Sequence, residues 1–269
     1  MDTEVRSRSL FFGAVAAIVM LFLGASSAPS PLYVVYQQLW HFTPTVLTVV
    51  FAIYVVGLLG SLLVVGALSD HVGRRPVLFG AILLESAALV LFLLAGDVVV
   101  LSLARLLQGV ATGAAVTTLG AALVDFESPT ARGRAGVVNS VAPTSGLALG
   151  ALGTGALVEF GPAPTRLVYA LLLTGMGIAA VIVALMPETS ARKPGALGSL
   201  RPVVGVPARL RAEVVPVVPV MVAGWALGGL YLSLGPSVAA QLFGLANHLV
   251  GGMVVTLLSG CGGAVQELG

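Results

Sequence analysis

The chain has 269 residues, of which 9% are Asp, Glu, Lys or Arg and 58% are apolar. Soluble domains carry roughly 25% charged and roughly 45 to 50% apolar residues, so this composition excludes a soluble enzyme and is typical of a membrane protein. The net charge of +2 comes from few residues, and no basic run interleaved with aromatic residues predicts nucleic-acid binding. The single cysteine, Cys261, excludes an intramolecular disulfide and a cysteine-based metal site, and we expect neither a metal nor a cofactor.

Long charge-free runs separate the charged residues, and a run of about 18 or more apolar residues predicts a membrane-spanning helix. Divided at their Gly, Pro and polar breaks, these runs give eight predicted spans, each near the roughly 20 residues that a bilayer core requires. Spans 1 to 8 are residues 10–39, 44–68, 77–95, 98–124, 135–160, 165–186, 214–235 and 246–264. The sequence therefore predicts an all-α, multi-pass membrane protein whose helices form a bundle.

The N-terminal segment allows two interpretations. Arg6 and Arg8, followed by an apolar run, match the start of a secretory signal peptide. The apolar run nevertheless continues through Pro29 and Pro31 to Trp40, and seven more apolar segments follow. A retained first span, bent at Pro29, is therefore the simpler prediction.

The basic residues predict the orientation of the spans, because Lys and Arg accumulate in short cytoplasmic loops. With the spans above, 11 of the 13 basic residues fall on one side, and that side includes the N-terminus. We therefore expect a cytoplasmic N-terminus and a location in the lipid bilayer of the plasma (inner) membrane. The 11 residues are Arg6, Arg8, Arg74, Arg75, Arg132, Arg134, Arg192, Lys193, Arg201, Arg209 and Arg211.

One long polar connection divides the spans into a group of six and a group of two. Residues 188–212 carry three prolines and five basic residues, which predicts a cytoplasmic linker along the anionic inner leaflet. The predicted organisation is a six-helix half at 1–187, this linker, and an incomplete second half at 213–269 with spans 7 and 8. A weak repeat of Ala28-Pro29-Ser30 as Gly235-Pro236-Ser237 fits two parallel halves.

The most specific pattern lies between spans 2 and 3. Gly66 and Gly73 permit a tight reversal of the chain, Asp70 places a carboxylate where span 2 meets water, and Arg74 and Arg75 follow within a turn. A carboxylate there can accept a charge-assisted bond from an arginine or lie at a helix N-terminus, and such a contact can form and break. The alternative is an ordinary turn that only follows the distribution of basic residues.

The loop between spans 2 and 3 resembles the loop signature of the major facilitator superfamily (MFS) of transporters. The resemblance rests on Gly66, on Leu68-Ser69-Asp70 two residues later, and then on Gly73-Arg74-Arg75. The segment from Arg105 to Gly109 resembles the family's second signature, and Pro187-Glu188-Thr189 resembles its usual exit from helix 6. The resemblance implies a secondary transporter that works by alternating access between two six-helix halves. Since that family has twelve spans, we expect this chain to be truncated after about eight.

The resemblance also implies a partner for the loop. In the family, an acid at the end of helix 4 pairs with the first arginine of the loop, which makes Asp125 a partner of Arg74 and completes a gate with Asp70. The alternative for Asp125 is a solvated loop acid.

Two charged residues lie inside predicted spans, where an ionisable side chain is costly and is often functional. Glu85 in span 3 is a candidate proton site, because burial favours the neutral form of a carboxylate and lets it load and release a proton. Arg105 in span 4 is a candidate for anion binding or for adjusting a nearby acid, and Gln108 lies one turn further along the same face. The resemblance links Arg105 to proton transfer. A structural role remains the alternative for both charges.

Span 5 contains Pro143, Gly146 and Gly150, which predict a bent helix that packs closely on its neighbours, as Pro29 does for span 1. The resemblance to the family's antiport signature is partial here, because Ala142 and Leu147 replace two of its glycines.

The leading prediction is a secondary active transporter of a small-molecule substrate, coupled to protons, with drug/proton antiport efflux as its narrower form. The alternative is a truncated, non-transporting remnant or a membrane interaction protein. We expect no catalytic residues, because no Ser-x-x-Lys or Gly-x-Ser-x-Gly pattern and no His/Glu metal pair occurs within a span.

Overall fold

The computed structural model describes residues 2–128, 131–191 and 193–200, together with residues 211, 215–219, 223 and 229. Most of the predicted linker, nearly all of span 7, the whole of span 8, the second copy of the repeat and Cys261 lie outside the described residues.

The described part of the chain folds into α-helices joined by short turns. They are α1 (Asp2–Ser27), α2 (Pro29–Trp40), α3 (Pro44–Val65), α4 (Ser69–Val72), α5 (Arg74–Leu94), α6 (Val98–Phe126), α7 (Arg134–Phe160), α8 (Pro164–Leu185) and α9 (Ala196–Ser199). Six helical segments are long and apolar enough to cross a membrane, with α1 and α2 together forming the first. These six correspond to predicted spans 1 to 6, and the predicted all-α, multi-pass bundle is confirmed.

The first span is interrupted at its prolines. Ala28 keeps a right-handed helical backbone, and its N–H still donates to Gly24 O at 3.0 Å. Pro29 then begins α2 and has no N–H to donate to Ala25 O, four residues earlier. The interruption therefore leaves a main-chain acceptor open in the middle of the bundle.

The segment between spans 2 and 3 is more helical than the sequence predicts. We expected span 2 to reach residue 68 and span 3 to begin at 77, but α3 ends at Val65 and α5 begins at Arg74. Gly66 follows the end of α3, the short α4 carries Asp70, and Gly73 reverses the chain with φ of 111°. Arg74 and Arg75 therefore lie in the first turn of a helix, where their main-chain N–H groups have no partner within the helix.

The core lies around α6, which packs against α1, α3 and α5, while α7 packs against α1 and α2 and α8 against α5. Large apolar side chains are exposed on the outer faces of α3, α5, α7 and α8, as expected for lipid contact. The N-terminal part of α1, the α3–α5 loop, the end of α6 and the chain after α8 meet at one end of the bundle. We call this the basic end, and the other the opposite end.

Glycines bring helix backbones into direct contact at two places. A Cβ added at Gly109 of α6 would lie 2.2 Å from Tyr54 O of α3, and one at Gly113 would lie 2.6 Å from Leu58 O. On α7, a Cβ at Gly150 would lie 2.2 Å from Gly24 O of α1. Only residues without a side chain allow these approaches, which fix α3 against α6 and α1 against α7.

Candidate functional site

Arg74 is the centre of a charge network at the basic end. Its side chain is only 10% exposed, although it lies in the first turn of α5. Nη1 donates to Asp70 Oδ1 and, at 2.7 Å, to Ser69 Oγ, while Nε donates to Asp125 Oδ2 at 3.2 Å. One guanidinium thus joins α4, α5 and α6, and charge-assisted bonds of this kind are stronger than neutral ones.

Asp125 lies in the last turns of α6 and connects two further elements to this network. Its Oδ2 also accepts a hydrogen bond from Thr189 Oγ1 at 2.7 Å, in the segment after α8. Its main-chain carbonyl accepts from Arg8 Nη2 at 3.2 Å, which connects α1. The structure thereby brings together Asp70, Arg74 and Asp125, the three residues that we predicted for a gate.

Glu188 is a member of this network that the sequence analysis did not select. Its carboxylate accepts hydrogen bonds from the main-chain N–H groups of Arg74, at 2.7 Å, and Arg75, at 3.1 Å. These N–H groups form the positive end of the α5 dipole, which a carboxylate stabilises. A Cβ at Gly73 would lie 2.7 Å from Glu188 Oε2, so glycine is required there for space as well as for its positive φ.

The described beginning of the predicted linker lies against the same loop. Ser190 Oγ donates to Asp70 O at 3.4 Å, and Lys193 N donates to His71 O at 2.9 Å. Arg75, also predicted for the gate, instead donates from Nη2 to Ala184 O of α8 at 2.6 Å. The exit of the sixth span is therefore attached to the loop between the second and third.

A second polar cluster lies deep in the bundle, with Glu85 of α5 fully buried. Counted from the predicted start of span 3, Glu85 would lie about 12 Å along the helix at ~1.5 Å per residue. The helix α5 begins earlier, at Arg74, so Glu85 lies eleven residues, or about 16 Å, from its start. Glu85 Oε1 accepts from Gln108 Nε2 at 3.0 Å, whereas Oε2 has no hydrogen-bond partner.

Arg105 and Gln108 of α6 connect Glu85 to the break in the first span. Arg105 Nη1 donates to Ser26 O at 2.9 Å and to Gln108 Oε1 at 2.8 Å, while Nε and Nη2 make no hydrogen bond of normal geometry with the described residues. Gln108 Nε2 also donates to Ala25 O at 3.0 Å, the acceptor that Pro29 leaves open. The two ion pairs among the described residues both involve Arg74, so neither one neutralises Arg105.

Aromatic rings surround the Arg105 guanidinium. Its Cζ lies 5.2 Å from the ring centroid of Tyr33, 5.3 Å from that of Tyr54 and 5.8 Å from that of Phe92. A cation within about 6 Å of an aromatic centroid is attracted by the ring quadrupole. The rings therefore compensate part of the cost of burying this charge, although a buried N–H without a partner still costs about 1 to 3 kcal/mol.

Tyrosine hydroxyls extend this cluster towards the opposite end. Tyr36 Oη donates to Tyr169 Oη of α8 at 3.2 Å, and the ring of Tyr169 stacks on Phe92 at 4.8 Å. Aromatic residues near the end of a span commonly face the membrane interface. Tyr36 is instead 3% exposed, so its ring lies inside the bundle and not on its outer surface.

The predicted bend residues of span 5 lie outside both clusters. Pro143 lies within α7, which continues through it from Arg134 to Phe160. Gly146 and Gly150 face α1, where Ser27 Oγ also donates to Leu147 O of α7 at 2.7 Å. The predicted role of these residues in bending α7 stays a prediction.

Sequence reasoning also missed Tyr54 and Tyr169, because a tyrosine in an apolar helix gives no sign of the cation beside it. Glu188 could have been found from the rule that an acid directly after one span can cap another helix at the same end. Metal chemistry gains no support, since no group of three His, Cys, Asp or Glu side chains in the described ranges could hold an ion.

Comparison with known protein families adds an independent finding. The family model described as Major Facilitator Superfamily matches residues 13–266, a range that begins in the first predicted span and extends past the last. The resemblance that we drew from the loop between spans 2 and 3 is thereby confirmed.

Proposed function

Because the chain belongs to the Major Facilitator Superfamily of membrane transporters, we propose that it moves a small solute across the inner membrane and couples this movement to protons. Alternating access of one central site to the two sides of the membrane would carry the solute. Glu85 would carry the proton, and the network around Arg74 would form the gate.

The observation that supports proton coupling best is the buried chain from Glu85 through Gln108 to Arg105. An ionisable acid in the interior of a spanning bundle is costly, and it commonly marks a proton or ion pathway. Among the described residues Glu85 Oε2 has no hydrogen-bond partner, so this oxygen can carry a proton without breaking an existing bond. The fixed amide of Gln108 lies between this acid and the cation, so a change of charge at Glu85 alters the forces on Arg105.

This change would reach the backbone through α1. Arg105 and Gln108 together hold the carbonyls of Ser26 and Ala25, which flank the break between α1 and α2. When Glu85 ionises, its attraction for Arg105 competes with the carbonyl of Ser26 for the same guanidinium. Protonation would therefore change the angle between α1 and α2, and this change of angle would be one step of the transport cycle.

The gate proposal rests on Arg74. Its guanidinium bonds to Asp70 and Asp125 and joins three helices at the basic end, so breaking these bonds would free the loop from α6. We place this end on the cytoplasmic side, from the distribution of basic residues.

We also propose that residues 1–187 form one half of the transporter, 188–212 the linker and 213–269 part of the other half.

Drug/proton antiport is a narrower function that gains no support from the described residues. Ala142 and Leu147 of α7 stand where the antiport signature has glycines. The proposal is therefore proton coupling of a small solute, with the substrate class considered in the next subsection.

The purified full chain in liposomes would test this function. With a pH-sensitive dye trapped inside, ethidium, glucose and benzoate would each be added, and proton movement that depends on one of them would be measured. We expect such movement, and we expect Glu85→Gln to abolish its pH dependence, because the amide keeps the shape and cannot titrate. Glu159→Gln, a change at an exposed acid of α7, is the matched control.

Two results would contradict the proposal. A pH profile for Glu85→Gln that overlays that of the parent would remove Glu85 from coupling. Absence of proton movement with every solute would favour the non-transporting alternative.

A further inference from the structure

Arg105 presents a free pair of donors in the interior of the bundle. Among the described residues, Nη1 makes both hydrogen bonds of normal geometry that this guanidinium has, to Ser26 O and to Gln108 Oε1, while Nε and Nη2 are buried and make none. In a planar guanidinium, the Nε–H and Nη2–H bonds point in the same direction along one edge. Their spacing matches the two oxygens of a carboxylate, which binds such an edge with two parallel hydrogen bonds.

Within the described part of the chain, the charges around Arg105 leave this edge without a counterion. Of the elements packed around it, α1 contributes main-chain carbonyls, α2 contributes Tyr33 and Tyr36, α3 Tyr54, α5 Glu85 and Phe92, and α8 Tyr169. Glu85 is the one acid among these, and the neutral amide of Gln108 lies between it and the guanidinium. Whenever Glu85 is protonated, the cluster therefore carries one uncompensated positive charge.

The surroundings favour an organic anion over a hydrated inorganic ion. Three aromatic rings lie within 5.8 Å of the guanidinium Cζ and present flat apolar faces. The buried hydroxyl of Tyr33 lies beside the Arg105 guanidinium and makes no hydrogen bond of normal geometry with the described residues, so its own proton is available for a bound anion. A carboxylate on an apolar body would satisfy the donors with its oxygens and the rings with its carbon atoms.

We propose that the free edge of Arg105 binds the carboxylate of a small organic monoanion, and that substrates of this transporter belong to that class. This inference rests on the proposed function and specifies its substrate.

Glu85 gives the site a direct link between substrate and proton. Ionised Glu85 competes with an arriving carboxylate for the positive field of Arg105, and it repels that carboxylate. Protonated Glu85 does neither. Anion binding and proton binding therefore favour each other, and by linkage each raises the affinity of the other by the same factor. The proton and the anion would cross the membrane in the same direction.

Binding of benzoate to the purified full chain in detergent tests the site directly, by titration calorimetry at several pH values. We expect Arg105→Lys to weaken benzoate about tenfold or more, because an ammonium keeps the charge and loses the paired donors. Arg166→Lys, a change at an exposed arginine at the opposite end, should bind as the parent does. Chloride, a spherical anion of the same charge, should not compete.

Two milder variants keep the test valid if Arg105→Lys fails to fold. Tyr33→Phe removes one donor and keeps the ring, so it should weaken benzoate by a smaller factor. Glu85→Gln should leave the affinity independent of pH, whereas the affinity of the parent should fall as the pH rises and Glu85 ionises.

The outcomes separate this inference from the function beneath it. Unchanged benzoate affinity in Arg105→Lys and Tyr33→Phe, or no benzoate binding at any pH, would mean that ordered water satisfies these donors, and would overturn the inference. Proton movement driven by ethidium or glucose, without any response to benzoate, would overturn the inference and leave the proposed function intact. Failure with every solute would remove both.

Discussion

Arg74 is held more firmly than its neighbours in the loop. Its side chain is 10% exposed, whereas those of Asp70 and Asp125 are 53% and 28% exposed. If one acid is removed, the remaining partners must satisfy the charge of this nearly buried cation. Because the two acids are more exposed than Arg74, replacing one of them should cost less stability than replacing Arg74. The acids therefore allow the function of the network to be tested apart from its stability.

We predict that Asp70→Asn abolishes transport and leaves yield and membrane insertion near normal. The neutral amide cannot hold the charge of Arg74 during closure, whereas the effect on stability should be small, because Asp70 itself is 53% exposed, its amide oxygen can still accept from Nη1, and Asp125 remains bonded to Nε. Dye-coupled flux in liposomes and size-exclusion profiles of the detergent-solubilised variant would measure both properties. Glu127→Gln, at an acid that bonds to Ala135 N at the same end, is the control. Loss of protein together with activity would indicate a structural role.

At the scale of whole helices, the glycine contacts decide which elements move together. Gly150 of α7 meets Gly24 and Ser27 of α1, whereas Gly153, three residues further along α7, has nothing within 4 Å of the position of a Cβ. The same substitution at these two positions therefore compares close contact with open space on one helix.

We predict that Gly150→Ala lowers the melting temperature, because the added methyl would lie 2.2 Å from Gly24 O and force α1 away from α7. Gly153→Ala should be neutral or stabilising, since alanine is favoured over glycine in a helix by about 1 kcal/mol. Thermal unfolding of the two variants in the same detergent would be compared. Equal effects at the two positions would show that α1 and α7 are not packed as described.

The carboxylate of Glu188 connects the end of α8 to the start of α5. We predict that Glu188→Ala increases the rate of tryptic cleavage after Arg192, because the segment then loses its two bonds to the α5 N-terminus. Thr189→Val, which removes only the hydroxyl bond to Asp125, should have a smaller effect. Faster cleavage of Thr189→Val than of Glu188→Ala would contradict this attachment.

For the molecule as a whole, orientation is the property that the distribution of basic residues predicts. We expect a cysteine at position 163 to be labelled from outside intact cells and one at 198 to be protected, each introduced into a Cys261→Ala background. Position 163 lies between α7 and α8 at the opposite end, and 198 lies in α9. Labelling of 198 with protection of 163 would reverse the topology.

The spans could be predicted because membrane insertion leaves a signature along the chain, and the charge-free runs at 10–69, 135–158 and 167–187 show it. The pairing of Arg74 with Asp125 required the family resemblance, because the two residues are 51 positions apart and no local pattern joins them. Glu188 and Tyr169 were not selected, since their roles arise only when α8 lies beside α5. Buried polar contacts between helices depend on packing, which composition and periodicity do not describe.

The carbonyl of Ala25 that Pro29 leaves open and Gln108 occupies makes these two positions epistatic. A lineage that lost Gln108 first would bury an acceptor without a donor, at a cost of about 1 to 3 kcal/mol. One that first replaced Pro29 with alanine would create an N–H that can share the same oxygen, since a carbonyl accepts two hydrogen bonds. The order of the two changes therefore matters, and drift at Gln108 is restrained by a residue about eighty positions away in the chain.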